Sequence, residues 1–319
     1  MDIGRKLQGL SSHTLYVLLI LFAGLPLFLS CKIPNEPEAS SIDAFATLRE
    51  LSKDKPVLIE TDWSLSTRGE SGGQFEALMR MLMRQEIKFA FYSVDPINIA
   101  VARTTIARLS KENLDAGGKE YRRWDDYVDL GVKPGLEATV KAFEQDMGKA
   151  LAANRSFKTD GSPGFAKDSP VLQNVKKLSD FSALVIVTGT GSWQIVTDRL
   201  AGKIPIVAML TGVMSPEALP YHKSGQLTGL SGGIKGVYDI EGMMERGLAH
   251  ESLASAPKEA VKTNNPKYAG KYIEGFPGKK NMDRAMAYYP ALHFALALLI
   301  ILVIIGNVGL LMSKRNGGK

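Results

Sequence analysis

The stretch ALVIVTGTGSWQIVTDRLAGKIPIVAML, residues 183–210, decides the fold. Residues 183–187 are a continuous apolar run of strand length, residues 192–200 have amphipathic helical spacing, and residues 204–210 are a second apolar run. Apolar strands that alternate with helices are typical of a parallel sheet covered by helices on both faces. The stretch therefore predicts an α/β domain.

The same alternation continues upstream of this stretch. Strands are predicted at residues 56–61, 88–94 and 127–130, and helices at residues 45–52, 73–85, 96–110, 134–151 and 171–178. Asp95 followed by Pro96 is typical of a helix start, because the carboxylate accepts hydrogen bonds from the first turn. We predict one doubly wound, Rossmann-like domain over residues 45–255, with a mostly parallel sheet of about five strands.

Three parts of this domain have weaker patterns. Residues 113–125 are polar and predict an insertion, and residues 154–169 are rich in Ser, Gly, Pro and Lys and predict a mobile loop. Short helices are predicted at residues 216–221 and 243–253, on either side of a glycine-rich loop at residues 226–236.

Two apolar segments lie outside the domain, at residues 15–31 and 291–312. The second contains no charged residue and is long enough to cross a bilayer. Basic residues precede the first segment and follow the second, so the positive-inside rule predicts a bacterial inner-membrane protein whose domain lies outside the cytoplasm. The remaining parts are then two cytoplasmic tails, residues 1–14 and 313–319, and two polar linkers, residues 32–44 and 256–290.

The first apolar segment has more than one interpretation. It is short for a membrane span and contains Pro26, so it is either a transmembrane helix that acts as a signal anchor or a cleaved secretory segment. Phe28-Leu29-Ser30-Cys31 also resembles a bacterial lipoprotein cleavage box, which would leave Cys31 lipidated. The sequence leaves these three alternatives open.

Composition excludes some classes of function. Most of the formal net charge of +6 lies in the two tails, which leaves about +2 for the domain and no basic surface for nucleic acid. Cys31 is the single cysteine, so the domain has no disulfide and no thiolate metal site. We expect a core that folds without either.

The predicted ligand site lies at the carboxyl ends of the strands, where open parallel sheets bind small molecules. Its candidate residues are Asp62, Ser64, Asp95, Thr188, Gly189, Gly191, Ser192, Thr211 and Ser215. Small polar residues and a helix start suit an anion, and a branched side chain at Gly191 would block it and strain the turn. The alternative is that these residues only form turns and helix caps.

Several patterns that suggest catalysis or a cofactor fail in context. Gly189-Thr190-Gly191 lacks the third glycine of a dinucleotide fingerprint, and Ser71 lies too far from a strand end for a nucleophile elbow. Asp62 and Asp95 would suit magnesium, but no spaced Asp-x-Asp accompanies them. We therefore predict no catalytic residue, no metal and no cofactor.

Two further features predict contacts with partner proteins. Leu227, Leu230 and Ile234 recur at helical spacing in the glycine-rich loop and would present one apolar surface, unless they simply cover the sheet. Asn307 interrupts the second apolar segment beside two glycines, where a buried amide seeks a partner on another helix. These residues predict contacts with other membrane proteins or with a second copy.

Residues 127–135 (YVDLGVKPG) and 221–233 (YHKSGQLTGLSGG) resemble segments of bacterial membrane-anchored α/β proteins to which no activity is assigned. The resemblance covers roughly residues 50–245 and implies a Rossmann-like fold without implying a reaction. From the residues themselves we expect a non-enzymatic component of an envelope assembly that binds a partner protein or a small ligand. The alternatives are a membrane-bound hydrolase or transferase that uses the strand-end crevice, and a solute-binding or sensing subunit of a transporter.

Overall fold

A computed structural model describes residues 11–29, 33–281 and 284–316 of the chain. The chain divides into two compact units. One contains the two terminal helices, within residues 1–35 and 283–319, and the other is a domain of residues 36–282. The predictions for Cys31 and for most of the two tails lie outside the described residues.

The domain is built on a six-stranded sheet in which all neighbouring strands are parallel. Its strands, numbered in chain order, are β1 (Val57–Asp62), β2 (Phe89–Ser93), β3 (Tyr127–Val132), β6 (Ala183–Thr188), β7 (Ile206–Leu210) and β8 (Gly229–Gly232). Their order is β3-β2-β1-β6-β7-β8, the order of a Rossmann-like sheet. The predicted fold class is confirmed, with one strand more than the expected five.

Helices cover both faces of the sheet. They are α2 (Ala39–Arg49), α3 (Arg68–Arg84), α4 (Pro96–Asp115), α5 (Leu136–Gln145), α6 (Met147–Ala152), α7 (Ser192–Leu200), α8 (Ser215–Lys223) and α9 (Gly233–Arg246). On one face, Phe143 of α5 and Trp193 of α7 join a buried cluster with Leu58 and Ile186. On the other face, α3, α4 and α9 pack against the strands. Strand β6 is buried along its whole length, as its continuous apolar run predicts.

Strand β8 replaces part of the loop predicted at residues 226–236. The prediction is wrong because Gly229 and Gly232 deprive this strand of the run of large apolar residues that marks a buried strand. Each of the two glycines nevertheless has a packing role. A Cβ added at Gly229 would lie 2.3 Å from the Cα of Ala44, so only glycine lets α2 cross the strand this closely. Helix α9 then begins at Gly233 and ends at Arg246, not at residues 243–253 as expected.

The segment predicted as a mobile loop at residues 154–169 contains an antiparallel hairpin. Its strands are β4 (Arg155–Phe157) and β5 (Pro163–Phe165), joined by a turn in which the Asp160 carboxylate accepts a hydrogen bond from the Ser162 N–H at 2.9 Å. Two other helix predictions also change. Asp146 separates α5 from α6 and caps α6 through the Lys149 N–H at 2.9 Å. In place of the helix predicted at residues 171–178, residues 171–174 form turns and a short 3-10 helix spans Leu178–Asp180.

Much of both predicted linkers is folded onto the domain. After α9 the chain forms a small sheet from β9 (Leu248–His250), β10 (Val261–Thr263) and β11 (Tyr272–Ile273). The Arg84 guanidinium then donates to the Lys280 carbonyl at 2.6 Å, and Asn281 donates to Glu245 at 2.6 Å. At the other end, Lys235 of α9 donates to the Glu36 carbonyl at 3.0 Å. These contacts make residues 36–281 the folded part of this unit.

The terminal unit consists of two helices that pack against each other, α1 (Ser12–Leu29) and α10 (Arg284–Asn316). Both are long and apolar enough to cross a membrane. Asn307 of α10 is exposed in this unit, so its contact with a further helix stays a prediction.

Candidate functional site

The crevice formed by residues 62–67 after β1 and residues 188–192 after β6 lies where the strand order reverses. Strands β1 and β6 are direct neighbours, and Asp62 and Thr188 are paired at their carboxyl ends. The chain leaves β1 toward β2 on one side and leaves β6 toward β7 on the other, so the loops diverge. Ligands of open α/β sheets bind at this switch point. Four of the nine predicted ligand residues lie in the second loop: Thr188, Gly189, Gly191 and Ser192.

A network of hydroxyl groups surrounds Asp62. The Thr190 hydroxyl donates to the Asp62 carboxylate at 2.7 Å, and the Thr188 hydroxyl donates to the Asp62 carbonyl oxygen at 2.5 Å. The hydroxyls of Thr188 and Ser192 are 3.0 Å apart. Sequence reasoning named three of these residues as candidate ligand residues and left out Thr190, although Thr190 lies in the same strand-end segment. The network holds the two loops of the crevice together.

Glycine has different roles at the two glycine positions of the second loop. A Cβ at Gly189 would lie 2.5 Å from the Thr67 hydroxyl oxygen, because the two loops of the crevice touch there. Gly191 has an ordinary backbone angle, φ −71°, and no atom lies within 4 Å of a Cβ built on it. The expectation that a side chain at Gly191 would strain the turn is therefore wrong, and Gly189 is the restricted position.

The first loop adds exposed hydroxyls. Ser64 and Ser66 lie with their hydroxyl oxygens 2.8 Å apart, and the Ser64 N–H donates to the Thr67 hydroxyl at 3.0 Å. Arg68 is the one basic side chain in residues 62–70 and 188–195. With Asp62 and Glu70 in the same stretch, the local charge does not favour a free anion, so the expected anion site stays a prediction.

Glu60 is a buried carboxyl that sequence reasoning missed. It is 0% exposed, and neither carboxyl oxygen has a hydrogen-bond partner among the described residues. Burial raises the pKa of Glu60 well above its usual value, the nearby charge of Asp62 raises it further, and the Ser192 hydroxyl opposes this shift. The pattern Glu60-Thr61-Asp62 could have identified this residue from the sequence. Residues i and i+2 of a strand lie on the same face, so the Glu60 and Asp62 side chains share one face of β1.

The other predicted ligand residues have structural partners. Asp95 caps α4, where its carboxylate accepts from the Ile97 N–H at 2.7 Å. Thr211 and Ser215 lie at the end of β7, where the Ser215 N–H donates to the Thr211 carbonyl at 3.0 Å. The neighbouring Gly212 N–H already donates to the Glu70 carboxylate at 2.7 Å. For these three residues the structure gives the turn and cap roles of the alternative interpretation.

The predicted partner contact in residues 226–236 does not hold for its two leucines. Leu227 and Leu230 are 1% and 0% exposed and belong to the main core cluster. The reason is that residues 229–232 pair with β7 as strand β8, so their apolar side chains face the covering helices. Ile234 is partly buried in the first turn of α9.

A second polar cluster surrounds Asp43 on α2. Its carboxylate is 3.0 Å from the His222 Nε2 atom, accepts from the Lys267 ammonium at 3.1 Å, and accepts from the Tyr268 hydroxyl. Burial alone would raise the pKa of Asp43, but these three groups outweigh it and lower the pKa to about 2. The cluster ties α2 to the end of α8 and to the segment before β11.

The amino edge of the sheet carries a cavity of about 500 Å³. Its lysines are already paired: Lys55 donates to the Ser179 carbonyl at 3.0 Å, Lys203 to Glu144, and Lys267 to Asp43. Because its cations are satisfied by the protein, we place the candidate site at the carboxyl edge.

Comparison of the chain with protein-family models, with curated proteins and with solved structures gives no match in any of the three. The resemblance of residues 127–135 and 221–233 to membrane-anchored α/β proteins therefore stays a prediction. Within residues 11–29, 33–281 and 284–316, no group of three or more His, Cys, Asp or Glu side chains is placed to hold a metal ion.

Proposed function

We propose that this chain is a membrane-anchored, non-enzymatic binding component of a bacterial envelope assembly, and that its α/β domain binds a small polar ligand in the crevice. The observation that carries the proposal is the hydroxyl network around Asp62 at the switch point of the sheet. Hydroxyl groups both donate and accept hydrogen bonds, so such a surface suits a ligand with several polar groups.

The acceptor chemistry of the crevice narrows the ligand class. Asp62 accepts from Thr190 through Oδ2, which leaves Oδ1 for a donor on the ligand. The exposed hydroxyls of Ser64 and Ser66 add further donors and acceptors at the entrance. A free phosphate or carboxylate would meet the charge of Asp62. We therefore favour a ligand that donates hydrogen bonds, such as a polyhydroxy compound or an amine.

Membrane anchoring is supported by α1 and α10, which are long and apolar enough to span a bilayer. The basic residues outside both segments support a domain on the far side of the membrane from the cytoplasm. Binding is favoured over catalysis because residues 62–70 and 188–195, which form the crevice loops, contain no histidine and no cysteine. Partners would be other membrane proteins or a second copy.

A thermal-shift screen of the full chain in mild detergent tests the ligand proposal. Polyols, nucleosides, amines and phosphorylated metabolites are added in EDTA and, separately, in Mg²⁺. A ligand present at about 100 times its Kd should stabilise the protein by about 2.7 kcal/mol and raise Tm by several degrees.

The variants Asp62→Asn and Thr190→Val should lose this response. Asp95→Asn is the matched control, because Asp95 lies on the same sheet edge and asparagine still caps a helix. A flat screen, or a response that survives in both crevice variants, would overturn the proposal and favour a protein partner.

A further inference from the structure

Among the described residues, no hydrogen bond that meets normal geometry accounts for the position of Glu60. The residue lies within β1, the central strand at which the sheet order reverses, and both carboxyl oxygens are buried without a hydrogen bond among the described residues. An unpaired buried carboxyl is costly even when it is neutral. Residues 57–59, which precede it on the strand, are apolar, so packing alone does not require a glutamate here.

The groups around Glu60 are oxygen atoms of the crevice. Asp62 lies two residues further along β1 on the same face, and Ser192 begins the helix that follows the neighbouring strand β6. Tyr92 is its cross-strand partner on β2, and the fully buried Tyr92 hydroxyl also has no hydrogen-bond partner in the described chain. Two unpartnered buried polar side chains thus lie directly below the hydroxyl network.

Glu60 and Asp62 are placed to act together. Residues two apart on a strand lie about 7 Å from each other along the same face, and the longer glutamate side chain can approach the aspartate. Asp62 is partly exposed at the end of the strand, whereas Glu60 lies one step deeper. The pair provides an outer and an inner carboxyl group, both with free acceptor oxygens.

The charges of the crevice also need an explanation. Helix α7 begins at Ser192 and directs its first N–H groups, with their positive partial charge, toward the crevice. Such a helix start favours an anion, while Asp62 beside it repels one. A cation between the carboxyl groups would remove this conflict and would let an anionic group of a ligand reach the helix start.

We propose that Glu60 and Asp62 bind a hard divalent cation of the magnesium kind in the crevice, an inference that rests on the ligand-binding function proposed above. The polar side chains placed around the pair, those of Thr188, Thr190, Ser192 and Tyr92, carry oxygen atoms, which suit such an ion. Magnesium commonly uses one or two protein carboxylates, retains several waters and binds phosphate oxygens of a ligand. A phosphate group carried by the polyhydroxy ligand proposed above would then be bound through the cation, while the hydroxyl groups of that ligand meet the hydroxyl network.

Titration of the full chain with the metal alone tests the inference. Mn²⁺, detected by electron paramagnetic resonance, stands in for Mg²⁺, and Mg²⁺ then competes with it. We expect about one Mn²⁺ per chain with a Kd of about 10⁻⁴–10⁻³ M, and a Kd weakened about tenfold or more in Glu60→Gln and in Asp62→Asn. The control Asp95→Asn should bind as the natural chain does.

Folding of the variants is checked by near-ultraviolet circular dichroism. Glutamine has the shape of a neutral glutamate, and Asp62 is partly exposed, so both variants should fold. The absence of Mn²⁺ binding by the natural chain, or equal binding by Glu60→Gln, overturns the inference. A phosphorylated metabolite that binds equally well in EDTA would overturn it while leaving the proposed function intact; metal binding with a flat metabolite screen would overturn only the proposed function.

Discussion

The Asp43 cluster allows a quantitative test of how the domain is held together. Replacing Asp43 by asparagine keeps the shape of the side chain but removes the charge that faces Lys267, His222 and Tyr268. These partners come from three segments that are distant in sequence, so the variant should loosen α2 and the segment before β11 together. We expect a lower free energy of unfolding with little change in the folded structure.

The size of the effect follows from the pKa of Asp43, which is about 2 in the folded protein instead of its ordinary 3.8. This difference corresponds to about 2.5 kcal/mol at neutral pH, and solvent screening at this partly exposed site reduces it to about 1–2 kcal/mol. Because the folded pKa is the lower one, the stabilisation is present above pH 3.8 and is lost as the pH falls through about 2.

Chemical unfolding of the full chain in mild detergent, followed by tryptophan fluorescence, measures this difference. The gap between the natural chain and Asp43→Asn should be constant from about pH 7 to pH 5 and about half as large at pH 3. Asp54→Asn is the control, since the exposed Asp54 carboxylate takes no part in the cluster. A gap that is the same at pH 7 and pH 3, or absent at pH 7, would refute the electrostatic explanation.

Four other predictions concern packing and topology. Leu230→Asp should destabilise the domain by about 2–4 kcal/mol, as measured by its melting, because it places a charge in the core; an unchanged melt would contradict the burial. Gly229→Ala should cost about 2 kcal/mol or more because of the contact with Ala44, while Gly191→Ala should change stability by less than about 0.5 kcal/mol; equal melts would refute this. A fragment of residues 36–281 should be a soluble monomer and about 1–3 kcal/mol more stable than residues 40–275, which lack the bonds of Glu38 to Asp239 and of Asn281 to Glu245; equal unfolding midpoints would count against docked linkers. Protease added to intact spheroplasts should cut the domain, and cleavage only after lysis would reverse the topology.

The sequence predicts the sheet well where strands are continuously apolar. Strands β6 and β7 have such runs, β1 and β2 begin with shorter ones, and their helices have amphipathic spacing, so local pattern and tertiary burial agree. Strand β8 was not predicted because its sequence, Gly-Leu-Ser-Gly, contains only one large apolar residue and so shows no strand pattern. Its glycines are required by a helix that arrives from residues 39–49, and no local pattern contains that information.

The linkers were missed for a related reason. Residues 256–281 are rich in Lys, Pro, Gly and Asn, and this composition is typical of exposed chain. Their order comes from specific long-range bonds, such as those of Arg84 to the Lys280 carbonyl and of Arg49 to the Glu274 carbonyl. Side chains that satisfy isolated backbone carbonyls leave no periodic signature, so composition alone mistakes a docked segment for a free one.

The candidate site was partly predictable for a topological reason. Asp62, Thr188 and Ser192 were named as candidates because ligands bind at strand ends, and a parallel sheet places those ends on one edge.

Glu60 was overlooked because it interrupts an apolar run and looks like an exception to a good strand. In a strand buried on both faces, however, such an exception costs stability wherever it occurs, and a leucine at that position would avoid the cost. The departure from the apolar pattern lies two residues from Asp62 and beside the start of α7, not at the amino end of the strand. Rules that predict structure from the local apolar pattern are expected to fail at binding sites more often than elsewhere. At a binding site, a residue is selected by what its side chain binds as well as by how that side chain packs. The glutamate inside β1 is therefore the most informative single residue of the domain, and the one whose replacement best separates a binding site from a sheet edge.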